Sequence, residues 1–162
     1  MIKKTGAKAA LLDEYERAII ELRAVISDIT PVELGHIVDS DTSDFNCRSI
    51  KTILAHVISA GYSYANYIRR LKNVSYKKFP DTARDTIAGF QIDFLEMFSY
   101  NIETFDFFHE EEIEEHESEK KILTRWGQLY DIEQLMEHAI VHILRHRRQI
   151  ESFKQKLRVT EK

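Results

Sequence analysis

Seven histidines occur in this 162-residue chain, and three of them fall in one short run, EHAIVHILRHRRQIE, at His138, His142 and His146. Neutral imidazole is the commonest nitrogen ligand of divalent transition metals. On a helix, residues four apart lie one turn above each other, displaced by about 40° around the axis. Two histidines at that spacing can converge on one ion. The buried stripe of this helix is expected along Leu135, Ala139, Ile143, Ile150 and Phe153. At about 100° per residue, His146 falls within the stripe, His142 on its edge and His138 further toward solvent. His142 and His146 are therefore the expected pair, with His138 outside it or behind it.

An open metal site takes about three protein ligands and leaves a position for water or substrate. The segment TILAHVISAG supplies the third candidate, His56, at the edge of a stripe made by Ile53, Val57 and Ala60. Imidazoles that face an apolar interior need partners for their ring nitrogens. One divalent ion shared by His56, His142 and His146 meets that need for all three. Taken singly, each has a plainer reading: a hydrogen-bonded boundary histidine at 56, and a solvated basic face at 138–146 beside Arg145, Arg147 and Arg148. His36, His109 and His116 fall in or beside loops and read as surface groups. Ligation requires neutral imidazole, so metal affinity is expected to fall below about pH 6.5, the ordinary histidine value.

Long elements must position these rings. Five glycines and two prolines in the whole chain, with sustained 3.6-residue periodicity, point to helices. The first helix is expected over residues 7–27, on the stripe Leu11, Tyr15, Ala18, Leu22 and Ile26. A loop with a short helical turn at 31–36 follows. The second helix is expected from Ser49 to about Lys72, with Ile53, Val57, Ala60, Tyr64, Tyr67 and Leu71 on one side. The connection NVSYKKFPDTA, containing Pro80, leads to a third helix from about Ala83 to His109, rich in Phe90, Phe94, Phe98 and Phe105. Residues 110–130 read as a long connection carrying the only tryptophan. Asp131 and Gln134 stand in capping-box register at the start of the last helix, which runs to about Leu157. Four long helices with two extended crossovers predict an all-α four-helix bundle, one domain over residues 1–162.

Composition narrows the function. A net charge of −4 argues against a nucleic-acid surface. No run of 18 apolar residues suggests a membrane span and no signal peptide is recognised, so a cytoplasmic protein is expected. The single cysteine, Cys47, excludes an intramolecular disulfide and suits a reducing compartment. It precedes a helix, whose dipole would favour a thiolate, but no base stands near it in sequence. Ser63, Tyr64 and Tyr67 lie within a few turns of His56 as candidate hydroxyls, each with packing as its plainer role.

Three segments together resemble the DinB-like family, including its YfiT-like group. RSIKTILAHVISA is similar to the family's helix that opens Trp-Ser and carries a histidine, although Arg48 and Ser49 stand here. TRWGQLYDIEQLMEHA resembles its Trp-Gly element leading into the last helix. HAIVHILRHRRQI is similar to its histidine pattern ending in H-R-x-Q-I. The resemblance implies a bundle of the DinB-like type with metal ligands at His56, His142 and His146, and with nickel or zinc foremost, iron or manganese after them. It further implies thiol S-transfer using a low-molecular-weight bacterial thiol; an open divalent site could equally activate water for hydrolysis. The alternative is a non-catalytic, stress-related metal- or ligand-binding bundle, and the sequence leaves open whether the protein is a homodimer. A cavity beside the metal next to the third helix's phenylalanines would favour a substrate, and a packed wall the alternative. Arg147 and Gln149 follow the histidines as in the family, to orient neighbours, brace the helix or simply face solvent.

Overall fold

The computed structural model describes residues 6–78 and 84–159. Among these the protein is all-α in character, with five α-helices and one pair of two-residue strands. Helix α1 spans Ala7–Ile26, α2 Pro31–Gly35, α3 Ile50–Arg70, α4 Ile87–Phe105 and α5 Ile132–Val159. The strands β1 (Ile122–Leu123) and β2 (Leu129–Tyr130) pair antiparallel. Helix α1 packs on α5, α5 on α3, α3 on α4, and α4 back on α1, so the four long helices close into a ring. No described helix is long and apolar enough to cross a membrane.

Local chemistry sets the helix starts. Thr30 caps α2 in a reciprocal box with Glu33, and Pro31 occupies the first helical position, where a missing N–H costs nothing. Ser49 accepts from the Thr52 N–H, and the Thr52 hydroxyl accepts from the Ser49 N–H, fixing the start of α3 two turns before His56. Thr86 caps α4. The helix starts later than the expected Ala83, because Thr86 caps it and residues 84–86 are not helical, and it ends at Phe105 rather than near His109; Ala83 itself and Pro80 lie outside the described residues. Asp131 and Gln134 form the expected box at the head of α5: Gln134 N–H donates to Asp131 Oδ1 at 2.8 Å, and Asp131 N–H to Gln134 Oε1 at 3.2 Å.

The predicted stripe of α1 is buried throughout: Leu11, Tyr15, Ala18, Leu22 and Ile26. It meets Leu135, Ala139, Ile143, Ile150 and Phe153 of α5, Ile53, Leu54 and Val57 of α3, and Phe90, Phe94 and Phe105 of α4 in one core. Gly61 lets Met97 of α4 pack closely on α3, since a Cβ there would stand 2.4 Å from the Met97 sulfur. Residues 110–130, expected as plain connection, instead contain two 3-10 turns and the β1–β2 hairpin. Its tight turn needs Gly127 at φ +85°, which glycine adopts without steric cost. At the far end, Arg158 of α5 bonds Glu33 and Asp28, tying α5 to the α1–α2 corner.

Phe94 is fully buried at the centre of this core. Phe94→Ala is expected to lower the unfolding free energy by about 3–5 kcal/mol, the usual cost of a large cavity. Urea titration measures it, and a loss under about 1 kcal/mol would mean the ring is not a core anchor.

Candidate metal centre

His56 comes from the middle of α3, and His142 and His146 from successive turns of α5. His142 is 7% and His146 2% exposed, while His56 is half-buried at the rim. One ring nitrogen from each lies within 4.8 Å of the other two. Ring centroids are 4.9 Å apart for His56–His142, 5.2 Å for His56–His146 and 4.5 Å for His142–His146. The Nε2 atoms of His56 and His142 stand 3.0 Å apart. At that distance one ring donates to the other, or both lone pairs face a cation. Imidazole nitrogens bound to zinc at about 2.0–2.1 Å stand roughly 3 Å apart.

The third ring has its tautomer fixed from behind. His146 Nδ1 is 3.0 Å from Gln149 Oε1, an oxygen that only accepts, so the ring proton sits on Nδ1. His146 Nε2 is then an unprotonated lone pair, buried and without a hydrogen-bond partner. A buried acceptor left bare is costly unless something occupies it. The donor set of three neutral imidazoles fits a borderline divalent ion such as nickel or zinc.

Burial also keeps the rings neutral. Desolvation, with His146 and His56 as neighbours, holds His142 down at about 2; desolvation holds His146 at about 4 against the opposing Gln149 bond. His56 is lowered as well, chiefly by burial. Arg145, exposed on α5, adds to the lowering at all three. The sequence-based boundary of about pH 6.5 for proton competition therefore moves downward, because the reference value describes a hydrated ring.

His138 lies outside the trio, as its wheel position predicts. Its ring stacks on Trp126 at 5.6 Å and meets Tyr64 at 5.6 Å, with Tyr130 Oη 3.4 Å from its Nδ1. The β1–β2 hairpin thus lays Trp126 over Tyr64, Tyr67 and His138 and builds an aromatic wall beside the histidines. Tyr64 packs edge-on against His142, and burial pushes its hydroxyl up to about 12. The Tyr67 hydroxyl accepts the Arg125 N–H at 2.9 Å, so it serves the hairpin rather than the trio. His36, His109 and His116 are exposed, as expected.

Two further groups come from the loop before α3. Asp44 caps the turn Phe45–Cys47 by accepting from Asn46 N–H, and it is the carboxylate whose field reaches His56 and His146. Nothing in the sequence singled it out, because only the packing of that turn on α3 brings it near. The Cys47 thiol is 3.5 Å from Asp44 Oδ2, and burial first, with Asp44 opposing a thiolate, raises it. Cys47 therefore remains a thiol at neutral pH. Arg147 reaches Glu21 of α1 and braces α5, whereas Gln149 orients His146. Phe90, Phe94 and Phe105 are buried in the core that α4 shares with α3.

Two outcomes test this arrangement. Because the folded rings bind protons below the unfolded value, the unfolded chain takes up protons first as pH falls. Stability of the metal-free protein should be level above about pH 6.5 and decline below it. The thermal midpoint measured from pH 7.5 to 5 should fall more steeply in the wild type than in His142→Ala; parallel profiles would mean the rings are hydrated. Gln149→Leu should weaken divalent-ion affinity about 10–100-fold with the fold intact, read by competition with a chromogenic chelator. An unchanged affinity would show that Gln149 does not orient His146.

No protein-family model matches this chain, and no curated protein matches it.

Proposed function

We propose that the protein is a DinB-like four-helix bundle holding one divalent transition metal, nickel or zinc foremost with iron or manganese after them, through His56, His142 and His146, and that it is a metal-dependent enzyme. The observation that carries this reading is the orphaned His146 Nε2, aimed into a cluster with two other imidazoles and preset by Gln149. A metal held there would supply Lewis-acid activation of a coordinated thiol or water, which suits S-transfer from a low-molecular-weight thiol or a hydrolysis. The residues' own part is to stay neutral, to hold the donor geometry and to exclude water from the α4 side. Asp44, whose carboxyl the Asn46 N–H holds below the usual range, would act on the site as a fixed negative charge toward His56 and His146.

A second reading, a non-catalytic metal- or ligand-binding bundle, is favoured by the burial of Phe90, Phe94 and Phe105 in the core. The half-buried His56 and the partly exposed Trp126 weigh for the enzyme, because they leave the opposite rim accessible.

Metal content by plasma mass spectrometry decides first, on wild type purified without a histidine tag and on His142→Ala. Near-stoichiometric metal in the wild type and its loss in the variant are expected. Metal absent from both, even after incubation with divalent ions, would remove the metal and enzyme readings together. With metal established, turnover in a thiol-transfer screen that falls in Asp44→Asn would separate the enzyme from the binding bundle.

A further inference from the structure

Several cations of this acidic chain are paired with carboxylates: Lys51 with Asp85, Arg69 with Glu103, Lys72 with Glu112, Lys154 with Asp28, Arg158 with Glu33. Arg70, Lys77, Lys78 and Arg125 line one hollow of about 460 Å³, and among the described residues no carboxylate lines it with them. The chain carries 27 acidic against 23 basic side chains, so this convergence is not a general basic excess. Like charges around a concavity repel one another and focus a positive field into it.

The frame that holds these cations is buried and hydrogen-bonded. Asn66, 4% exposed, donates to the Lys77 carbonyl at 2.9 Å and accepts the Tyr100 hydroxyl at 2.7 Å. That hydroxyl oxygen in turn accepts the Lys77 N–H at 3.0 Å. Arg69, 3% exposed, donates to the Ser75 carbonyl at 3.1 Å, so the backbone on both sides of Tyr76 is pinned. Arg70 lies over the Tyr76 and Tyr67 rings, 5.0 and 5.5 Å from their centroids. Arg125 enters from the hairpin turn, its N–H fixed on the Tyr67 hydroxyl. Three segments thus deliver four cations to one place on a rigid support, which lowers the ordering cost of binding an anion.

We propose that this hollow is a binding site for the phosphate-type dianion of a small molecule. A tetrahedral oxyanion with several acceptor oxygens uses donors arriving from several directions, whereas a single carboxylate is satisfied by one guanidinium fork. The volume exceeds what a phosphate alone fills and lies in the range of small-ligand pockets, so the phosphate is the anchor of a larger molecule. The concave shape and the acidic balance of the whole chain favour a small ligand over a nucleic-acid backbone. No histidine of the metal centre lines the hollow, so the site stands independently of the metal.

Calorimetric titration with pyrophosphate, on protein treated with EDTA, tests the site. Saturable one-site binding is expected in the wild type, weakened at least tenfold in Arg70→Ala/Arg125→Ala with unchanged circular dichroism. Removing two exposed cations elsewhere, Arg17→Ala/Lys120→Ala, should change it less than twofold. His142→Ala should bind as the wild type does, which separates this site from the metal reading. Absence of saturable binding in the wild type, or equal weakening in the control pair, overturns the proposal. Citrate bound as tightly as pyrophosphate would overturn the phosphate preference, and a short single-stranded RNA bound more tightly would overturn the small-molecule assignment.

Discussion

Three imidazole rings have to be kept neutral, close and largely dry at one point between α3 and α5, and much of the rest of the structure can be understood as the means of holding them there. Burying a polar ring without a partner costs on the order of 1–3 kcal/mol. The protein accepts that cost at His146 Nε2, while the opposite ring nitrogen donates a hydrogen bond to Gln149 Oε1. The arrangement is sustained by helix packing. The α1 stripe supports the apolar side of α5, Arg147 reaches Glu21 across the same contact, and the Ser49–Thr52 box fixes where α3 begins.

The hairpin does a second job. Two short strands and a glycine turn carry Trp126 onto the Tyr64–His138 edge of the histidine cluster and Arg125 into the basic hollow. A single turn therefore contributes to two chemically different places, one aromatic and one cationic. On α4, by contrast, Phe90, Phe94 and Phe105 are buried in the core, whereas His56 is only half-buried.

Sequence reasoning worked where the controlling interactions are local. The stripe Leu11 to Ile26, the Asp131–Gln134 box, and the burial order His146, then His142, then His138 all follow from periodicity and from groups three or four residues apart. It worked less well in residues 110–130, where two-residue strands are too short to leave a period of two. The boundary of about pH 6.5 belongs to a hydrated ring, whereas burial lowers these three.

The sequence by itself determined which faces of the helices are apolar, where the capped last helix starts, and that three histidines occupy inward positions on two of them. Those features are encoded in spacings along one chain segment. Only the tertiary structure decided that the three rings meet, that Asp44 and Trp126 stand beside them, and that Tyr67 serves the hairpin instead. The same is true of Arg70, Lys77, Lys78 and Arg125, which share one hollow. Each of these juxtapositions joins segments remote in sequence, and the distance between them is set by packing, which no local spacing records.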